Sequence, residues 1–547
     1  MKSQSILRNK YYLYLTEFFS GMSVMAVELG ASRLLAPYFS SSQIVWTIII
    51  GTIMIAMALG NIYGGRSADK HPNPDTLYRR LLIAAVWIAA IPVLGKYIIL
   101  GVSALLVFTV SNNFLILAAF FACMLIFVYP LFLLGTVTPS LVKYTVDSLD
   151  DSGKTVGTLG AFNTIGSILG TFLPTFVTIP AVGTAITFLI FSGILLLLGL
   201  VYFISKRSGK RACALAVVLF LVCSIFGHSG SFAFWEDDLA YEGESIYNYL
   251  QVKETAHSVI LSTNVLFGVQ SIMMKDDSLT GMYYDYALAA PFMAGVPEKE
   301  EADVLILGMG TGTYARQCMK YFDNVTVEGV EIDQKITDLA HTYFELPESV
   351  AVTTYDGRAY LQAVDKKYDV IMVDAYQDIT IPFQMSSVEF FTLVKEHLKD
   401  DGVMVVNMNM KSDMTASDGS GDGINTYLAD TISTVFDCVY TVDVRSATNR
   451  ELFASDNPAI AERLMHQANA AQINGADAEE KEKLAGLMQT VGGSLAAYEG
   501  GDRILTDDKA PVEVLGMRVI DELIADEIGY YKEIFERDGI EGLLGNL

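Results

Sequence analysis

Three carboxylates stand at the ends of short apolar runs in the second half of the chain, and a fourth follows closely. Val304–Leu307 turns into Gly308-Met309-Gly310-Thr311-Gly312, and Val325–Val330 ends at Glu331, 19 residues after Gly312. Val350–Thr353 is followed by Asp356-Gly357, Val370–Val373 ends at Asp374, and Asp378 lies in the loop beyond. A strand that runs into a glycine turn lets the backbone approach a ligand closely. An acid ending the next strand can accept two hydrogen bonds from ribose hydroxyls, and Asp356 can accept from an adenine amino group. Asp374 falls at the carboxyl edge, where ligands collect in open α/β sheets. An ionised acid there would orient an amine and take its proton. The bland alternatives are a purely structural turn at the glycines and an Asp374 that only caps backbone amides.

The elements that must place these groups alternate in type. Val304–Leu307, Val325–Val330, Val350–Thr353, Val370–Val373 and Val403–Val406 are β-rich runs separated by helical segments. That order predicts a parallel, doubly wound sheet. Val439–Val444 and Glu451–Ala454 predict an extended edge. Ile246–Val252, Ser258–Ser262 and Val269–Met274 predict strands ahead of the sheet, and 283–294 predicts a helix. Residues 411–424 read as a polar, Gly-rich loop. The glycine spacing is G-x-G-x-G, because position 313 is Thr. It departs from the pyrophosphate-binding G-x-G-x-x-G and points to an AdoMet-type ligand, which carries no phosphate.

The first half is a different material. Of 547 residues 52% are hydrophobic, and the mean hydropathy is +0.38. Residues 1–211 carry 15 Lys/Arg and 7 Asp/Glu, a net of +8, whereas 212–547 carry 22 and 55, a net of −33. Such asymmetry implies two domains in two solvents, divided here as 1–235 and 236–547. An acidic domain excludes nucleic acid as a partner, since duplex binding depends on neutralising phosphates. It suits a cationic small molecule, although solubility alone would explain the acid too. The five cysteines include no metal-spaced pair, so neither zinc nor a disulfide framework is expected.

A helix crossing the hydrocarbon core needs ~20 apolar residues. Candidate spans are 12–36, 44–64, 81–107, 114–141, 158–180, 183–205 and 212–234, so six to eight crossings are expected. The third could be one tilted helix or two pieces. Basic clusters at Lys2, Arg8 and Lys10, at Arg66 to Arg80, and at Lys206 to Arg211 mark one side as cytoplasmic. Cytosolic supply of an AdoMet-type ligand argues that 212–234 is re-entrant or interfacial, with the second domain also in the cytoplasm. Glu17, Glu28 and Arg33 in or beside the first span are either structural or a polar path for a cation.

These motifs, in this order, resemble the spermidine synthase family. That family strings together a Gln-bearing strand, a Tyr-His-Glu helix start, a Gly-Gly-Gly-Asp-Gly loop, a Glu-Ile-Asp, an Asp-Gly, and an Asp-x-x-Asp loop ending in Pro. This chain has Gln270, Tyr283-Tyr284-Asp285, Gly308 to Gly312, Glu331-Ile332-Asp333, Asp356-Gly357, and Asp374 with Asp378 and Pro382. Arg33-Leu34-Leu35-Ala36-Pro37-Tyr38-Phe39, Gly64-Gly65-Arg66-Ser67-Ala68-Asp69 and Leu505 to Glu513 are similar to membrane-fused members. The resemblance implies a multi-pass α-helical membrane domain followed by an α/β doubly wound, AdoMet-methyltransferase-like (spermidine synthase-like) domain. It implies aminopropyl transfer from decarboxylated AdoMet to an amine such as putrescine, with methylthioadenosine released.

Asp374 matches the family's proton acceptor. Asp378, Tyr284 and Asp285 are implied on the amine side. Gln270, Gly308, Gly310, Gly312, Glu331, Asp356, Gly357 and Pro382 are implied on the donor side. No permanently bound cofactor is expected; the donor is a substrate. The implied partners are the amine, the lipid membrane and, as one candidate assembly, a second copy in a homodimer; the implied location is the cell membrane. Three departures leave other readings open. The family's His is Tyr284, its loop acid is Thr311, and Asp378 is reached only by an insertion at Gln377. Without an acid at 311, intact AdoMet is less strongly repelled, so a methyltransferase is an alternative. A non-catalytic membrane transporter or sensor is another.

Overall fold

The computed structural model describes residues 10–39, 42–107, 114–145, 152–228, 231–236, 239–265, 269–375, 381–408, 423–445, 449–468, 473, 477–516 and 537. The first half is all helix: α1 Lys10–Phe39, α2 Gln43–Lys70, α3 Pro74–Val107, α4 Phe114–Gly135, α5 Val137–Thr145, α6 Ser152–Leu173, α7 Ile179–Lys206 and α8 Lys210–Gly227. Six helical stretches are long and apolar enough to cross a membrane, and the longest, Ser152–Lys206, holds 55 residues. At 1.5 Å per residue that is far more than one bilayer thickness. It is broken by a π-helical turn at Pro174–Thr178 and by Gly183, whose φ is +79°. The chain reverses there. Gly166 packs on Phe18 and Gly170 on Met22, so α6 runs with α1. Phe188 meets Gly30 while the Leu198 carbonyl accepts from Tyr12, so α7 runs against α1.

The small residues serve these close approaches. A Cβ on Gly166 would lie 2.0 Å from the Phe18 carbonyl oxygen, and one on Gly60 2.3 Å from that of Phe132. Such contacts are how helices pack tightly without a hydrophobic driving force. Inside the bundle Glu17 Oε1 accepts from Thr138 and Asn163, while its buried Oε2 has no partner among the described residues. The third span is one helix. Segment 212–234 is taken up mostly by α8, which is continuous over 18 residues, ~27 Å. Gly227 at its far end meets Pro92 and Val93.

The polar ends sort by side. Lys206 pairs with Asp75, Lys143 with Asp69, and Arg80 reaches Ser67. Lys10, Lys154 and Lys210–Arg211 begin the helices that start at this end. Arg33 and Lys96 lie at the other end: Arg33 bonds the carbonyl of Ser245 in the second half, and Lys96 that of Ser231, just past α8.

The second half opens with a four-stranded antiparallel sheet, β1 Leu239–Glu244, β2 Tyr249–Glu254, β3 Ser258–Ser262 and β4 Ser271–Met274. Residues 246–248 form a turn rather than the expected strand start, because the Ser245 hydroxyl accepts from the amides of Tyr247 and Asn248. The stretch 283–294 is two short helices, α9 Tyr283–Ala287 and α10 Ala289–Met293. The large sheet follows: β5 Ala302–Leu307, β6 Val325–Glu331, β7 Ala351–Thr354, β8 Tyr368–Val373, β9 Leu398–Met408, β10 Cys438–Asp443, β11 Arg450–Ser455 and β12 Ala496–Ala497. Its order is β12-β10-β11-β9-β8-β5-β6-β7, and β5 to β9 are parallel.

Strand β11 enters antiparallel beside β9. This is the expected doubly wound parallel sheet, extended at one edge by antiparallel strands. The connecting helices α11 Thr313–Tyr321, α12 Gln334–Tyr343, α13 Gly357–Ala363, α14 Val388–Glu396 and α15 Ile424–Ser433 cover the faces with α16 Ile460–Gln467 and α17 Ala478–Ser494. Two cores result, one around Val304, Ile306, Met372 and Val405 and one around Leu305, Leu307, Ile371 and Val406. Adjacent residues of one strand serve opposite faces, which is the period-2 rule of a doubly covered sheet.

Candidate active site

All five parallel strands point their carboxyl ends to one edge, and a single cavity lies over it. Gln270, Tyr284, Gly308, Gly310, Glu331, Asp356, Gly357, Asp374 and Pro382 line it together. At Gly308 φ is +81°, and a Cβ would sit 2.5 Å from the Ala375 Cα and 2.6 Å from the Asp374 carbonyl oxygen. Glycine therefore lets the first turn pass beneath the end of β8. At Gly310, with φ +57°, a Cβ would lie 2.5 Å from the Ser271 Oγ.

Glu331 is buried. Its Oε2 accepts from the Gly310 amide at 2.9 Å and its Oε1 from the Asp333 amide at 3.0 Å. Each oxygen keeps a second acceptor direction, so the carboxylate ties the glycine turn to β6 and can still take two hydroxyl donors. Burial pushes its carboxyl up to about 7, against the lowering effect of those amides. Asp356 caps α13 through Ala359, 2.8 Å from one oxygen, while the residue faces the cavity.

Asp374 is fixed from two sides. Its Oδ2 accepts from the Tyr283 hydroxyl at 2.7 Å and its Oδ1 from Asn407 Nδ2 at 2.8 Å. Asn407 in turn accepts from Asn449 Nδ2 at 2.9 Å. Burial raises the Asp374 carboxyl to about 7, and the two hydrogen bonds lower it only partly. An acid poised there is matched to proton transfer near neutrality. Two well-directed donors also set the direction of its remaining lone pairs into the cavity. Glu451, opposite Asn407 across β9–β11, is buried with neither oxygen partnered among the described residues. Burial, then the charge of Asp374, drives its carboxyl well above the ordinary range.

Two expected site residues lie elsewhere. Asp285 is not in the cavity. It accepts from the Thr280 and Gly281 amides and from Gln317, so it holds the turn ahead of α9. Gly312 begins α11 with φ +84°, and its Cβ direction is filled by Leu346, so it shapes the helix start. Asp378 lies outside the described residues. Tyr284 reaches the cavity, but its hydroxyl is spent on the Gln270 carbonyl at 2.8 Å, which braces β4 against α9. Thr311 is buried and faces a neighbouring cavity with Thr313, Arg316 and Gln317. Its side chain does not line the cavity that holds Glu331 and Asp374.

Tyr283, Asn407, Asn449, Ser271, Tyr247 and Asn248 also line the cavity or hold its acids and were not expected. Asn407 had a signal: it follows Val403–Val406 at the same carboxyl edge. Asn449 had none, because an antiparallel strand brings it in from the far side of the sheet.

Comparison with known proteins agrees with this geometry. Residues 289–419 match the spermine/spermidine synthase domain. A probable polyamine aminopropyl transferase of Bifidobacterium longum is 55% identical over 354 residues, which cover 63% of this chain and 77% of that protein. A polyamine aminopropyltransferase of Hydrogenobaculum sp. is 29% identical over 175 residues, 30% of this chain and 59% of that protein. Among solved structures, a probable spermidine synthase from Corynebacterium glutamicum is 19% identical, with a TM-score of 0.35 over 48% of this chain and 98% of that one. With 55% identity over 354 aligned residues to a relative of which it covers 77%, this chain belongs to the spermine/spermidine synthase family of polyamine aminopropyltransferases, a family of transferases.

Proposed function

We propose that the protein transfers an aminopropyl group from decarboxylated AdoMet to an amine such as putrescine, releasing methylthioadenosine. The observation that carries this is Asp374, held by Tyr283 and Asn407 in the same cavity as Glu331. The amine lone pair attacks the methylene beside the sulfonium. The C–S bond breaks, its electrons neutralise the sulfur, and the proton of the new ammonium passes to Asp374. Holding amine and donor in line supplies the proximity term, and the buried acid supplies the base. Purified full-length protein supplied with putrescine and decarboxylated AdoMet should release methylthioadenosine and spermidine in equal amounts. Methylation of an acceptor from intact AdoMet, with no aminopropyl transfer, would replace this reading by the methyltransferase one.

The acid near 7 sets a pH dependence. A raised pKa means that Asp374 of the free enzyme is protonated, and idle as a base, below about 7. kcat/KM should therefore rise with pH and level off above about 7. The sulfonium charge of a bound donor favours the carboxylate, so the inflection in kcat should lie at lower pH. A flat kcat/KM between pH 5.5 and 8.5 would remove Asp374 from the role of base.

We infer that the helical half is a multi-pass domain of the cell membrane. Outward-facing side chains such as Met54, Leu125, Phe172, Leu197, Ile204 and Phe226 are exposed along its helices, which suits a hydrocarbon solvent. Because Ser152–Lys206 turns back on itself, the six apolar stretches amount to seven crossings. The basic ends lie opposite the docked domain, and short basic loops face the cytoplasm. That charge rule places the catalytic domain on the far side, against the placement that cytosolic donor supply favours; the donor would have to be met there. In a cysteine-free background, an impermeant maleimide should label Ala240→Cys in intact cells and leave Ser208→Cys unlabelled. The reverse pattern would return the domain to the cytoplasm.

A further inference from the structure

The segment Arg33-Leu34-Leu35-Ala36-Pro37-Tyr38-Phe39 ends α1 and has no part in the chemistry above, yet it bonds residues that adjoin two walls of the donor cavity. The Arg33 guanidinium donates to the carbonyls of Ser245 and Ile246. Those carbonyls belong to the turn that the Ser245 hydroxyl closes by accepting from Tyr247 and Asn248, both of which line the cavity. The same hydroxyl donates to Asp333 Oδ2 at 2.5 Å, and Asn248 Nδ2 reaches that oxygen at 3.2 Å. The Asp333 amide is one of the two donors that hold Glu331.

One turn further on, the Pro37 carbonyl accepts from the Val265 amide at 3.0 Å. It is among the last four carbonyls of α1, which have no partner within the helix. Val265 follows Thr263, and Thr263, Val269 and Gln270 form the other wall. A single helix end thus holds the residues next to both walls and is three hydrogen bonds from Glu331, by way of Ser245 and Asp333. Arg33 also faces the carboxylates of Glu244 and Asp333.

We propose that Arg33 is a positioning residue for the donor: through the 245–248 turn, the helical half sets the affinity of the nucleoside cavity. The proposal rests on reading that cavity as the donor site. A free turn would have to be ordered by the ligand, and ordering is subtracted from binding. With Arg33 in place the turn is ordered beforehand.

The test uses the full-length protein, with methylthioadenosine titrated by calorimetry and with steady-state rates. Arg33→Met should weaken methylthioadenosine and raise the donor KM by about tenfold, the order of one hydrogen bond to a charged group, with kcat changed less than about twofold. Arg33→Lys, which can still reach one carbonyl, should recover part of the affinity. Lys96→Met is the control. Lys96 is a second cation at the same end of the bundle; it bonds the Ser231 carbonyl within the first half and contributes to neither wall. Its affinity should stay at the parental value. If Arg33→Met bound methylthioadenosine as tightly as Lys96→Met, Arg33 would be a tether only and the proposal overturned. If the parent itself bound no methylthioadenosine, the donor-site reading would fall first and carry the proposal with it.

Discussion

Asp374→Asn is expected to lower turnover of putrescine and decarboxylated AdoMet by about 10²–10⁴-fold, the usual worth of a general base, while methylthioadenosine still binds. Asn keeps the volume and one acceptor oxygen, so the Tyr283 hydroxyl retains a partner. The amide cannot take a proton from the attacking amine. Asn407 Nδ2 would face either an oxygen or an NH₂ group at the lost position, and the side chain can turn to offer the oxygen to only one of its two donors. Some local destabilisation should follow, of about 1–3 kcal/mol for a buried group left unpaired. Thermal unfolding would separate that loss from the catalytic one. Turnover near the parental rate would show that Asp374 is not the base and would leave it as a backbone-edge cap.

Glu331→Ala should weaken methylthioadenosine by roughly two to four orders of magnitude, since two hydrogen bonds to a charged group at about 1.5–3 kcal/mol each would go. The loss is larger than for a surface contact because the acid also holds the Gly310 and Asp333 amides. Removing it frees the glycine turn from β6 as well as the ribose hydroxyls. Glu331→Gln separates the two effects: its oxygen can keep one amide, and its NH₂ group would confront the other. An affinity between parent and Ala variant is expected. Unchanged calorimetric affinity in a folded Ala variant would move the nucleoside site away from β6.

The parallel, doubly wound sheet was legible because its buried strands are short Val/Ile/Leu runs, several ending at a chemically marked residue, whereas their spatial order came only from the structure. Glu331 and Asp374 fall where those runs stop, and a strand end is a position that local sequence encodes. Asp285 was misplaced for the opposite reason. It sits in the right motif beside Tyr283 and Tyr284, but at the start of a helix an acid has two uses, and the amides of Thr280 and Gly281 claimed it. The 283–294 helix was read as one because its composition is continuous; the break at Leu288 comes from packing.

What the residues alone determined is local or periodic: the apolar helices by their length, the strands by their β-branched runs, the tight turn by glycine, the two unlike halves by charge asymmetry. Whether 212–234 folds back could not be decided that way. Hydropathy measures the cost of a segment in lipid and not which neighbour it lies against, whereas contacts of Gly227 with Pro92 and Val93 establish how far α8 runs. Tertiary structure also decided every partner supplied by distant chain. Asn407 and Asn449 meet Asp374 because β11 inserts antiparallel beside β9. Arg33 meets Ser245 across 212 positions of sequence. Such pairings are chosen by how whole faces pack, and no spacing along the chain records them.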